Sequence, residues 1–73
     1  MRVKVRIDTL SEANAFVRIT NTIEGKVMLT DGAGLCINAK SLLGVLYSIE
    51  FNELWCESDR DITSRLAPFI AND

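Results

Sequence analysis

Asn38-Ala39-Lys40-Ser41-Leu42-Leu43-Gly44-Val45-Leu46-Tyr47-Ser48 is the most apolar window of the chain, and it follows a short strand-like run from Leu35 to Asn38. Ser41 stands where a hydroxyl can accept a hydrogen bond from an otherwise unpaired first-turn N–H, so it predicts a helix start. Behind it, Leu42 and Leu43 are adjacent, and a helix of 3.6 residues per turn cannot easily bury both. The window is therefore either a capped core helix or a helix that presents a leucine for docking. It predicts a short helix ending near Ser48.

The elements on either side follow from pattern. Upstream, Lys26 to Thr30 and Leu35 to Asn38 read as the two arms of a hairpin joined by Asp31-Gly32-Ala33-Gly34, where glycine tolerates positive φ. Alternation places Leu35 and Ile37 inward and Cys36 outward. Downstream, Phe51 to Glu57 reads as a strand with Leu54 and Cys56 on one face. Phe51, Glu53, Trp55 and Glu57 take the other, wet face, which leaves Trp55 partly exposed. At the start of the chain, Val3, Val5 and Ile7 alternate with Arg2, Lys4 and Arg6, the pattern of a half-buried strand over residues 2–7.

Between that strand and the hairpin, Thr9-Leu10-Ser11-Glu12 fits a capping box. Leu10, Ala13, Phe16, Val17, Thr20 and Ile23 then recur at helical spacing, with Gly25 as the stop. After residue 58, Asp59 or Asp61 can cap a third helix carrying Ile62, Leu66, Phe69 and Ile70. Pro68 conflicts with it, because an interior proline removes a hydrogen bond and clashes with the preceding turn, at about 3 kcal/mol. The expected order is β-α-β-β-α-β-α.

Seventy-three residues make one domain, 1–73, near the lower limit for a single core. With 48% hydrophobic and 25% charged residues, disorder is not expected. A net charge of −2 argues against non-specific nucleic-acid binding, which needs a surplus of Lys and Arg facing phosphate. No apolar run approaches the roughly 18–20 residues of a membrane span, and the first residues lack the apolar block of a signal peptide. The expected location is the cytoplasm. Two cysteines, Cys36 and Cys56, cannot complete a four-ligand zinc site and do not form a CxxC pair. The chain has no histidine, which removes the commonest general acid–base and imidazole metal ligand. No catalytic motif, metal or cofactor is expected.

With this order in place, the chain resembles the HPr family, the histidine-containing phosphocarrier proteins of the bacterial sugar phosphotransferase system, over nearly its whole length. Its most specific part is Asn38 to Leu46, which is similar to the family's Lys-Ser-Ile-Met-Gly stretch. The serine of that stretch is a regulatory phosphorylation site in some bacteria. Asp59 and Asp61 resemble the acidic lead-in to the family's last helix, and Ala13, Phe16 and Val17 match its first-helix core. The resemblance implies an α+β, HPr-like open-faced β-sandwich, a four-stranded antiparallel sheet with three helices on one face. The departure is as informative. The family carries a glycine-histidine segment and an arginine between strand 1 and helix 1; here the connection shrinks to Asp8-Thr9-Leu10-Ser11-Glu12. Phosphoryl relay by the family's mechanism has no imidazole to run on.

Three sites carry the functional expectations. Ser41 is a candidate phosphosite by resemblance, and otherwise an N-cap worth about 1 kcal/mol. Leu42, Leu43 and Leu46 are candidate partner-binding residues, since the family presents apolar side chains of this helix to other proteins. Leu46 is favoured as core, and one of Leu42 and Leu43 is expected to stay exposed. Trp55 is a candidate second interface and would mediate a weak homodimer; the plainer reading pairs it and its flanking glutamates with Arg2, Lys4 and Arg6 across a neighbouring strand. The leading expectation is a non-enzymatic, regulatory, HPr-like module that binds a protein through helix 2. The alternatives are a phosphotransferase-system regulator phosphorylated on Ser41 and a ferredoxin-like ligand or RNA module. Strand order separates the last: a ferredoxin-like sheet has its first strand inside, an HPr-like sheet at an edge.

Overall fold

The structure, a computed structural model, describes residues 1–71. In chain order the elements are β1 (Arg2–Lys4), α1 (Leu10–Thr20), β2 (Val27–Thr30), β3 (Cys36–Asn38), α2 (Leu42–Ser48) and β4 (Trp55–Ser58), followed by a 3₁₀ turn at Ala67–Phe69. All four strands pair antiparallel in the order β1-β4-β2-β3. β1 therefore lies at an edge, which is not the ferredoxin-like arrangement. The fold is mixed α and β, a four-stranded antiparallel open sheet with two α-helices.

Register sorts the strand side chains onto two faces. Val27, Leu29 and Cys56 point inward and are fully buried in one core with Phe16 and Val45. Phe16 meets Phe69 edge to face at 5.2 Å between ring centroids. The outer face carries two rows across the sheet, Arg2-Glu57-Met28-Asn38 and Lys4-Trp55-Thr30-Cys36. One face packed and one wet is what strand alternation dictates in an antiparallel sheet.

α1 starts on the capping box read from the sequence. The Glu12 N–H donates to Thr9 Oγ1 at 3.1 Å, and Glu12 Oε1 accepts from the Asp8 and Thr9 N–H groups at 2.9 and 3.1 Å. Its inward stripe is Ala13, Phe16 and Thr20. Leu10, expected in that stripe, is 60% exposed, because at the first helical position it overhangs the end of the core. The helix also stops at Thr20, with Asn21 as its cap, well before Gly25. Thr20 Oγ1 donates across the core to the Ala39 carbonyl at 2.8 Å, and Asn21 Nδ2 to the Lys40 carbonyl at 3.1 Å. Lys40 Nζ returns the connection by donating to the Ile23 and Gly25 carbonyls at 2.5 and 2.7 Å. The lysine of the opening stretch thus clasps the end of α1 to the start of α2.

The expected third helix is absent among the described residues. Ile62, Leu66 and Phe69 are buried, as their spacing demanded, but they sit on turns and on the 3₁₀ segment. Pro68 occupies the first turn of that segment. Past it the chain becomes extended and pairs with the outer edge of the first strand: Arg6 N–H donates to the Phe69 carbonyl, Ala71 N–H to the Lys4 carbonyl, and Val5 bridges Ile70. Two smaller expectations also change. Leu35 lies in the turn and is 40% exposed, with its N–H donating to the Asp31 carboxylate at 3.1 Å. Phe51 precedes β4, in a turn rather than on a wet strand face, and packs half-buried against the core.

Candidate functional site

α2 is short and carries no charged residue. Ser41 caps it, with Oγ accepting the Gly44 N–H at 3.3 Å. Gly44 sets how close the helix comes to the sheet. A Cβ there would lie 2.5 Å from Ile37 Cγ2 and 3.1 Å from the Asn38 carbonyl oxygen, so only glycine allows this approach. The approach fixes which side chains turn inward. Val45 and Ser48 are buried, and Ser48 satisfies its hydroxyl on the Val45 carbonyl at 2.6 Å.

Leu42 and Leu46, one turn apart, are half-buried and pack against the core. Leu43 is 81% exposed, and Tyr47, four residues on, is 59% exposed. The doublet therefore splits as a 3.6-residue repeat requires, and Leu43 is the outward member. Tyr47 was not singled out from the sequence, although its spacing from Leu43 places it on the same stripe. Its ring also meets Phe51 edge to face at 5.8 Å. Beside Leu42, an open groove runs along α1, lined by Leu10, Ser11, Asn14, Val17, Arg18 and Asn21.

The Lys40 ammonium next to Ser41 is held by the Ile23 and Gly25 carbonyls rather than turned to the serine. At the start of α1, the Glu12 carboxylate accepts the Asp8 and Thr9 N–H groups and sets a negative charge in the first turn, which disfavours an external anion there. The helix end answers its own dipole.

Trp55 lies on the outer sheet face, half-buried. The Arg2 guanidinium sits over the indole at 4.8 Å and the Lys4 ammonium at 5.9 Å from the ring centroid. Arg2 pairs with Glu57 at 3.6 Å and Lys4 with Glu53 at 3.7 Å. The hairpin turn folds close as well: a Cβ on Gly32, whose φ is +79°, would lie 3.3 Å from Arg2 Nη2 and 3.5 Å from Trp55 Nε1. Trp55 therefore joins the cross-strand network rather than a bare patch.

The cysteines stand apart on opposite sheet faces, Cys36 exposed and Cys56 buried. Burial, with a smaller contribution from the Glu57 carboxylate, pushes the Cys56 thiol up from an ordinary 9.0 to about 12, which keeps it neutral and unreactive. Among the described residues no group of three or more Cys, Asp or Glu side chains could hold a metal ion, and no helix is long and apolar enough to cross a membrane. Comparisons with protein-family models, with curated proteins and with solved structures found no match to this chain.

Proposed function

We propose that this chain is an HPr-like regulatory module that binds a protein through α2 and carries no phosphoryl group on histidine. The observation that carries the reading is the pair Leu43 and Tyr47, both largely exposed, four residues apart on a helix without charge. A free leucine alone means little, since single exposed apolar residues are common. An outward apolar stripe on a helix fixed by Gly44 offers a preorganised contact, and aromatic residues are enriched where interfaces bind most strongly. The sheet order with β1 at the edge and the serine-capped second helix support the HPr-like reading; the absence of histidine removes the family's chemistry from it.

Capture from native lysate tests the reading, with wild type compared against a Leu43→Asp, Tyr47→Ser variant. Both sites are exposed, so the variant keeps its fold, and circular dichroism checks that it does. The reading expects proteins held by wild type to be lost by the variant. Recovery of the same set by both would reject α2 as the docking surface.

A further inference from the structure

The two edges of the sheet are finished differently. At β1, the Arg6 N–H donates to the Phe69 carbonyl, the Lys4 carbonyl accepts from Ala71, and Val5 bridges Ile70, so the chain covers this edge itself. At the other edge, β3 has β2 as its single neighbour among the described residues. The Ala39 N–H donates to the Val27 carbonyl at 2.8 Å, and the register sets Leu29 opposite Ile37. Antiparallel alternation then makes Val27–Ala39 and Leu29–Ile37 the hydrogen-bonded pairs, and Cys36 and Asn38 turn their backbone groups away from the sheet. The Asn38 carbonyl accepts the Ser41 N–H at 3.2 Å, whereas no hydrogen bond reaches the Cys36 N–H or carbonyl among the described residues. Cys36-Ile37-Asn38 carries no charge, proline or bulge, devices that keep an edge from pairing; only its shortness limits it.

We propose that β3 pairs antiparallel with β3 of a second copy, about a two-fold axis at Cys36, joining two four-stranded sheets into one. A residue that offers one donor and one acceptor is self-complementary under a two-fold, since each Cys36 N–H donates to the other copy's Cys36 carbonyl. The same axis sets Leu35, 40% exposed, opposite the half-buried Ile37 of the other copy, twice. Leu35 lines an open groove with Glu50 and Phe51, on the helix-covered side of the sheet where Ile37 meets Gly44. Charge favours this orientation. One end of the hairpin carries Lys26 and Lys40, and at the other Asp31 and Glu50 stand beside Leu35. Antiparallel pairing brings the basic end of each copy to the acidic end of the other, whereas a parallel arrangement sets like against like. The contact is small, so the dimer is weak. The pairing goes beyond the docking reading and does not depend on it.

The test follows the ¹⁵N-labelled full chain, kept reduced, on dilution from about 2 mM to about 20 µM. Amides of residues 34–38 should shift with concentration, and sedimentation should show monomer and dimer with nothing larger, because a two-fold contact closes. Lys26→Glu and Glu50→Lys, both at exposed sites, should each weaken the dimer at least about threefold, and the double variant should restore it. Leu35→Lys should weaken it about tenfold. Oxidised glutathione should then trap the concentrated protein: the two Cys36 thiols form one disulfide, and two glutathione thiols are released. Opposed Cα atoms about 5.5 Å apart, as in a hydrogen-bonded antiparallel pair, suit that bond. The trapped dimer should show the same amide shifts as the reduced one. A protein monomeric at the highest concentration, shifts centred on Trp55 or Leu43, association indifferent to the charge variants, or no covalent dimer where the reduced dimer is populated would each overturn the proposal.

Discussion

Two surfaces of this molecule carry a large apolar side chain that solvent reaches, and they differ in what surrounds it. On the outer sheet face, Trp55 lies under Arg2 and Lys4, with Glu57 and Glu53 completing the pairs and the Gly32 turn folded against it. On α2, Leu43 and Tyr47 project from a helix that has no charged residue of its own. The sheet face is occupied by its own neighbours; on the helix face Leu43 is 81% exposed and Tyr47 meets only the edge of Phe51. An aromatic residue among charges is thus a poor sign of an interface once cross-strand partners are in register. A leucine doublet behind a cap is a better one, because helix geometry forces one member outward.

The comparison can be broken from either side. Removing the indole should cost most. Trp55→Ala should destabilise by about 2 kcal/mol, less than the 3–5 typical of a fully buried aromatic, since the ring is half-exposed and loses cation contacts as well as packing. Chemical denaturation measures it, and a loss below about 0.5 kcal/mol would mean that the indole is not held by the sheet. Gly44→Ala should follow, at about 1–2 kcal/mol, because the added methyl forces Ile37 or the helix to move. Its sharper signature is positional: amide shifts should spread along α2 and β3, and an effect confined to residue 44 would contradict the close approach.

Arg2→Ala should cost less, about 0.5–1 kcal/mol, since its partners are partly exposed and exposed pairs are weak. Raised salt should shrink the difference from wild type, and a salt-independent difference would assign the effect to packing rather than charge. Smallest of all is Leu43→Asp, expected to change stability by no more than about 0.5 kcal/mol, as for surface substitutions away from structural features. A melting temperature lowered by more than about 5 °C would show that Leu43 is part of the core.

Much of the architecture was legible because its causes are local. Thr9 and Glu12 announce α1 three residues apart, Ser41 announces α2, and alternation in residues 2–7 and 27–30 sorts the sheet faces. The segment from residue 59 onward was misread because its decisive partners are distant. Ile62, Leu66 and Phe69 are spaced as on a helix and are buried, yet the Lys4 and Arg6 backbone groups compete for the same segment. Beyond Pro68 the extended pairing wins. Leu10 was misread for the opposite reason: spacing describes a helix of indefinite length and takes no account of where the core stops. At the site, the outward turn of one leucine was readable from the doublet, but which one was not. That choice is fixed by the contact of Gly44 with Ile37, a tertiary fact. The groove beside Leu42 had no signal in the sequence, since it exists only once Leu42 comes to lie beside α1.

The most direct test of the central contrast is methyl cross-saturation from a captured, unlabelled partner onto the ¹³C-methyl-labelled chain. The account predicts strong attenuation at Leu43, with weaker loss at Leu42 and none at Leu29 or at Met28 on the outer sheet face. Attenuation centred on Met28, with Leu43 untouched, would put the partner on the sheet and contradict the account.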